Sequence, residues 1–215
     1  MTLNLNYCRT DMTSAMNTGS TFCEVSSGAS MHHSLTNVSR YSVMCKIDIE
    51  NWTQYPLWAP ASHINCGIIE YPPVAVMPGK REMFVARKTR FTAKGTCGTA
   101  SWEILGMNRR VVVMWSCPYN FNHYSNWLAV GLTYEQKHQD WFRQMYYNVS
   151  DKGFNFTRRE YYYDTDIISN KDESFEVLGT MGTGHHAEAQ IIYLYDNLNF
   201  QFLFIALLRP FPFRR

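Results

Sequence analysis

The stretch Trp115–Trp127, WSCPYNFNHYSNW, holds the densest chemistry in the chain. Its rings, Tyr119, Phe121, His123, Tyr124 and Trp127, are interleaved with Asn120, Asn122, Ser125 and Asn126. Asn and Ser favour turns, so part of this set belongs on a surface loop after Pro118. Leaving large rings in water is unfavourable by about 25 cal/mol per Å², so a cluster of this kind usually meets a partner. A second pair, Tyr146-Tyr147, closes a segment with helical spacing. Ring faces around a pocket attract a quaternary ammonium, each good contact contributing about 0.5–2 kcal/mol. A serine hydroxyl beside them can donate to phosphate. Together these groups fit phosphocholine, a headgroup without net charge. Taken alone, such rings are as often core or corner-locking tyrosines as they are ligand contacts.

No other cluster carries a reaction. Gly-x-Ser-x-Gly, His-Glu-x-x-His and Cys/His nucleophile patterns are absent, which argues against an enzyme. His32-His33 and His185-His186 are adjacent pairs that point to opposite faces of a strand, so solvated turns are expected and no metal site. Asp164-Thr-Asp166 reads as a solvated turn, and Gly179–Gly184, which lacks a following Gly-Lys-Ser/Thr, as a hairpin. Tyr161-Tyr-Tyr163 reads as strand residues packed in the core. The cysteines, Cys8, Cys23, Cys45, Cys66, Cys97 and Cys117, have neither zinc nor redox spacing. Most are expected to be small buried hydrophobes, with a Cys8–Cys23 bridge open. Sequons stand at Asn37, Asn51, Asn148 and Asn155.

The elements that must position these groups are short strands. Tyr41, Val43, Cys45, Ile47 and Ile49 alternate with Ser42, Met44, Lys46 and Asp48, the period of a strand with one buried face. Further strands are expected at 82–86, 95–104, 110–115, 127–133, 158–163, 174–181 and 187–195. Pro72-Pro73, Pro78-Gly79, Gly106 and Gly182–Gly184 supply the turns. The stretch 135–147 lacks Gly and Pro, begins with an acid and has Trp141 and Met145 at i, i+4, so a short helix is predicted. Many strands and few helices make a mainly β fold, a compact sandwich with flanking helix.

At 215 residues and 25.1 kDa, with 46% hydrophobic and 18% charged residues, the chain suits one ordered domain. Its formal charge is +2, and Arg209, Arg214 and Arg215 concentrate cations at the C-terminus. The near-neutral remainder argues against nucleic acid as a partner. Aromatic residues reach 15%, a surplus that the loop above helps to explain. No apolar run approaches the roughly 20 residues of a membrane-spanning helix. No basic-then-apolar leader opens the sequence.

SCPYNFNHYSNW resembles the characteristic segment of the actinoporins, the pore-forming cytolysins of sea anemones. RVVVMWSCPYNFNHYSNWLAVGLT, FTRREYYYDT and GTMGTGHHAEAQI resemble the gastropod actinoporin-like toxins, the conoporins and echotoxins, more strongly still. The likeness runs in order from about Asn37 to Tyr195 and includes NVSRYSV and AKGTCGTASWEI. It implies an actinoporin-like β-sandwich over residues 40–196, preceded by a membrane-inserting segment at 1–39. An atypical apolar and basic tail follows at 197–215. The activity implied is that of a secreted cytolysin, without cofactor, acting at a target cell membrane. It would bind sphingomyelin-type phosphocholine lipid, form a homo-oligomer and open a cation-permeable pore. Matched residue by residue, the lipid site falls on Cys97, Ser116, Pro118, Tyr124, Trp127, Phe142, Tyr146 and Tyr147. Tyr119, Phe121 and His123 are the accompanying membrane-facing rings, and Arg40 matches a basic residue ahead of the first strand. His123 and Leu128 stand where many anemone members carry Trp, and Phe142 where they carry Tyr, which predicts weaker anchoring. The alternative is a non-lytic lipid- or glycan-binding module on the same scaffold. A third class is an interaction protein that presents its rings to another protein.

Overall fold

The computed structural model describes residues 41–134, 140–149 and 154–195. Two sheets face each other across one core. The first runs β3 (Ile68–Tyr71), β4 (Arg81–Arg87), β1 (Met44–Asn51), β11 (His186–Tyr195), β10 (Phe175–Met181), β9 (Ile168–Lys171). The second runs β2 (Leu57–Cys66), β5 (Thr96–Ile104), β6 (Arg110–Cys117), β7 (Asn126–Thr133), β8 (Phe154–Tyr161). Neighbours are antiparallel except β1 and β11, which lie parallel at the centre of the first sheet.

Period-two patterning fills the interior. Val43, Cys45, Ile47 and Ile49 point inward from β1 and its lead-in, opposite Ala100, Trp102, Val111, Val113, Trp115, Leu128 and Val130. Phe84 sits between two indoles, 6.0 Å from Trp102 and 5.4 Å from Trp115. Both of these indole N–H groups find an acceptor, Trp102 donating to the Val74 carbonyl and Trp115 to Thr96 Oγ1.

The expected strands are present with bounds shifted by a few residues, and three more appear at sheet edges: β2, β3 and β9. β2 contains Pro60, which an edge strand tolerates because it need not donate on both sides. Its ladder breaks between Trp58 and Ala61, Ala59 takes a φ of 43°, and Arg110 Nη2 holds the bulge by donating to the Ala59 carbonyl at 2.9 Å. β8 begins at Phe154 and ends at Tyr161, earlier than the sequence suggests. Core packing therefore holds for Tyr161, whose hydroxyl donates to the Asp166 carbonyl, and fails for Tyr162 and Tyr163, which are exposed beyond the strand end.

The helix is α1 (Trp141–Tyr147), closed by Asn148 in the left-handed conformation. Residues 135–139 of the predicted helix lie outside the described residues. Trp141 and Met145 seat α1 on Val112, Met114, Ala129 and Phe154, the outer face of the five-stranded sheet. Cys45 and Cys117 are buried and free, as expected of small hydrophobes, and burial together with their mutual proximity pushes the Cys45 thiol up. Cys97 departs from that expectation: it is bonded to Cys66 across β2 and β5, Cα–Cα 5.0 Å. The bridge closes 31 residues of chain, which constrains the unfolded state by about 3–4 kcal/mol. Cys8 and Cys23 lie outside the described residues.

Asn51 ties the far end of the sandwich. Its Nδ2 donates to the Tyr55 and Val76 carbonyls at 2.8 and 3.0 Å, and its Oδ1 accepts from the Thr53 amide and hydroxyl at 3.0 and 2.8 Å. A fully buried amide used at both ends cannot carry a glycan in the folded chain, so this sequon is silent. Replacing Asn51 with Ala strands buried partners and should lower unfolding free energy by about 2–4 kcal/mol. Urea denaturation checks this, with the midpoint falling and the slope unchanged.

Candidate functional site

Strand register assembles the first half of the site. Cys97 lies opposite Ser116, Ser116 opposite Trp127, and Trp127 opposite Glu160, one row across β5, β6, β7 and β8. Because side chains alternate, that row shares the outer face with the seat of α1. The C-terminal turn of α1 arrives over Trp127. Tyr146 meets it edge-on, centroids 6.3 Å apart, Phe142 stacks on Tyr146 at 5.3 Å, and Tyr147 meets Tyr146 at 5.1 Å. Spacing of i, i+4 puts Phe142 and Tyr146 on one helix face.

The second half is a set of loops beyond the strand ends. β6 runs out at Cys117, and Gly95 of the β4–β5 loop passes directly against it. A Cβ on Gly95 would lie 1.8 Å from the Cys117 carbonyl oxygen and 2.8 Å from Pro118 Cα, so only glycine fits. Lys88 Nζ sits 4.7 Å from the Tyr119 ring centroid. His185 Nε2 donates to the Tyr119 carbonyl at 3.0 Å and its ring packs 4.2 Å from Phe121. Asn126 Nδ2 donates to the carbonyls of Gly182 and Gly184. Loops 88–95, 118–125 and 182–185 are thereby tied into one end of the sandwich. Tyr119, Tyr124, Tyr147, Tyr162 and Tyr163 present exposed rings there, and Phe91 is fully exposed.

Of the residues expected in the lipid site, Ser116, Trp127, Phe142, Tyr146 and Tyr147 come together on one face. Tyr124 is 60% exposed on the adjoining loop and close enough to influence the Tyr146 hydroxyl. Pro118 is half-buried against Gly95. Cys97 neighbours Ser116, but as half of a disulfide rather than a small free side chain. Among the other rings, Tyr119 and His123 are exposed, whereas Phe121 is half-buried on His185. Leu128 is fully buried in the core, so its position offers no anchor. Arg40 lies outside the described residues.

Two charged residues at this site escaped the sequence reading. The Arg158 guanidinium stands 4.5 Å over the Trp127 ring and also donates to the Tyr146 carbonyl. Glu160 is the strand partner of Trp127. Neither is visible without knowing which strand β8 pairs with. Trp127 thus already has a cation on one face and Tyr146 against it, which leaves Tyr124 and Tyr147 as the open rings. Burial raises the Tyr146 hydroxyl above its ordinary pKa, with Tyr147 and Tyr124 adding to the effect, so it stays a proton donor at neutral pH. Open rings, a donor hydroxyl, a guanidinium and a carboxylate can together hold a zwitterion. On the other side of Tyr124 lies a shallow recess of about 460 Å³, walled by Phe121, Glu160, Tyr162 and Tyr163.

The family model described as Sea anemone cytotoxic protein matches residues 29–191. Tereporin-Ca1 of Terebra anilis is 44% identical over 162 residues, covering 72% of this chain and 85% of that protein. Conoporin-Cn1 of Conus consors is 40% identical over 155 residues, covering 71% and 62%. Echotoxin-2 of Monoplex parthenopeus is 40% identical over 186 residues, covering 83% and 66%. Among solved structures, the lipid-binding protein Nakanori superposes with a TM-score of 0.58 at 14% identity over 77% of each chain, which shows a shared fold.

The geometry separates scaffold from contact. Trp127→Ala removes a half-buried ring from between Tyr146 and Arg158 and should cost about 2–4 kcal/mol of stability. Tyr124→Ala and Tyr147→Ala, on exposed rings, should stay within about 0.5 kcal/mol of the parent. Denaturation curves of the three variants measure the difference directly.

Proposed function

This chain belongs to the sea anemone cytotoxic protein family, the actinoporins, and from that premise we propose that it docks on phosphocholine lipid, sphingomyelin above all, through the ringed end of its sandwich. Membership makes it a pore-forming cytolysin and not an enzyme. Docking is followed by assembly of several copies, insertion of residues 1–39 and opening of a cation-permeable pore. The chain is secreted and acts at the membrane of a target cell.

The observation that carries the docking step is the meeting of Tyr146 with Trp127, the strand partner of Ser116, with Tyr147 against Tyr146 and Tyr124 nearby, where a protonated hydroxyl, Arg158 and Glu160 adjoin open ring faces. Tyr124 and Tyr147 supply the faces for the quaternary ammonium, and Glu160 supplies opposing charge. The Tyr146 and Ser116 hydroxyls and Arg158 are the donors for phosphate. Cys97, held by Cys66, and Pro118 form the floor, with Phe142 backing Tyr146. A formal charge of only +2 gives little pull toward an anionic leaflet and leaves recognition to the headgroup contacts. The chain ahead of β1 joins the domain at Tyr41, which accepts a hydrogen bond from His186 and lies beneath Arg87 and Arg90 at this same end. The described chain therefore begins, at Tyr41, beside the proposed membrane face. The tail at 197–215 follows Tyr195, whose strand partner Phe175 is at the other end.

Vesicle pelleting and dye release, with phosphatidylcholine alone and with added sphingomyelin, test this reading. Pelleting and release that both rise with sphingomyelin are expected, as is an about tenfold loss of pelleting for Tyr124→Ala or Tyr147→Ala. Deleting residues 1–30 should abolish release and leave pelleting. Pelleting without release would favour a non-lytic lipid-binding module, and absence of pelleting would remove the lipid reading.

A further inference from the structure

We propose that the β4–β5 loop, residues 88–95, is a second membrane contact, with the Phe91 ring entering the lipid interface while Arg90 and Lys94 meet lipid phosphates. The inference rests on the docking reading above and adds an anchor to it.

The sequence of the loop, KTRFTAKG, puts one ring among three cations. Phe91 is fully exposed, and it holds a φ of 57°, in the left-handed region that disfavours a side chain. An exposed ring on an unfavourable backbone is maintained against both solvation and conformation, which marks a ring with a task outside the folded chain. The loop is not loose. Thr92 Oγ1 donates to the Thr89 carbonyl at 2.9 Å, Arg90 Nε donates to Tyr41 Oη at 3.1 Å, and Gly95 is pressed on Cys117. Lys88 is buried with its ammonium over Tyr119, so this loop and the 118–125 loop share one support. Phe91 therefore projects from the end of the sandwich that carries Tyr119, Tyr124 and Tyr147. Arg90 and Lys94 are exposed beside it. An apolar tip flanked by cations matches a bilayer interface, where acyl chains lie beneath a layer of phosphates.

The test uses the full chain and vesicles of phosphatidylcholine and sphingomyelin. Phe91→Ala should lower the partition coefficient about tenfold. Phe91→Gly should lose binding equally while holding or raising the denaturation midpoint, because glycine relaxes the backbone. Phe91→Trp should bind like the parent, and its emission, taken as the difference from the parent, should shift to the blue and be quenched by lipids brominated near the headgroup. Parent-like binding of Phe91→Ala, or an unquenched indole on vesicle-bound protein, overturns the proposal. If in that case Tyr147→Ala still loses binding, the docking reading survives and this inference alone falls. If the parent itself fails to bind, both fall.

Discussion

Register along β5, β6, β7 and β8 is the constraint on which everything else in this molecule rests. Trp115 and Ser116 are adjacent in sequence and face opposite ways, as are Trp127 and Leu128. Slipping β6 by a single residue would carry Ser116 inward and turn Trp115 out to water, and slipping β7 would do the same to Trp127 and Leu128. The site would vanish with the core. What forbids the slip is the cost of exposing an indole that now fills the space beside Phe84, together with fixed polar ties such as the Asn126 amide to Gly182 and Gly184. The seat of α1 comes from the same alternation, since Val112, Met114 and Ala129 stand in successive rows behind Ser116 and Trp127. One pattern therefore builds the interior, places the helix and aims its last turn.

The interior strands were legible because both their neighbours and their inner faces are fixed by burial. Val111, Val113 and Trp115 read as a strand in any order of pairing. Edges were not. β2, β3 and β9 pair on one side only, so their sequences carry less patterning, and β2 even accommodates Pro60. β8, the remaining edge of the second sheet, was placed too late in the chain, and that error hid Tyr162 and Tyr163 in a core they do not enter. The rings of the proposed lipid site were legible as a cluster and through family resemblance. Their division into open faces and scaffold was not, because it depends on Arg158 arriving from β8. The Cys66–Cys97 bridge follows from pairing of β2 with β5, a contact that no spacing rule reveals.

Arg158 changes how the aromatic cluster is understood. A ring that already holds a guanidinium offers little to a second cation on that face, so Trp127 serves best as the wall against which Tyr146 is set. The guanidinium is fixed by the Tyr146 carbonyl, beside the hydroxyls where a phosphate would lie. Glu160 stands two residues further along β8, opposite Trp127 and in the wall of the recess beside Tyr124. The charges are thus laid out as a zwitterion in reverse, which a uniformly basic patch could not achieve.

Rigidity at this end has a thermodynamic consequence. The exposed rings stand on segments held by Gly95 against Cys117, by His185 to the Tyr119 carbonyl and by Tyr161 to the Asp166 carbonyl. Rings held in place before contact lose little freedom on docking, so a few of them suffice to hold a headgroup without a large charged surface. The chain enters β1 beside the rings and leaves β11 at the opposite end, and every strand pair described is made among residues 44–195.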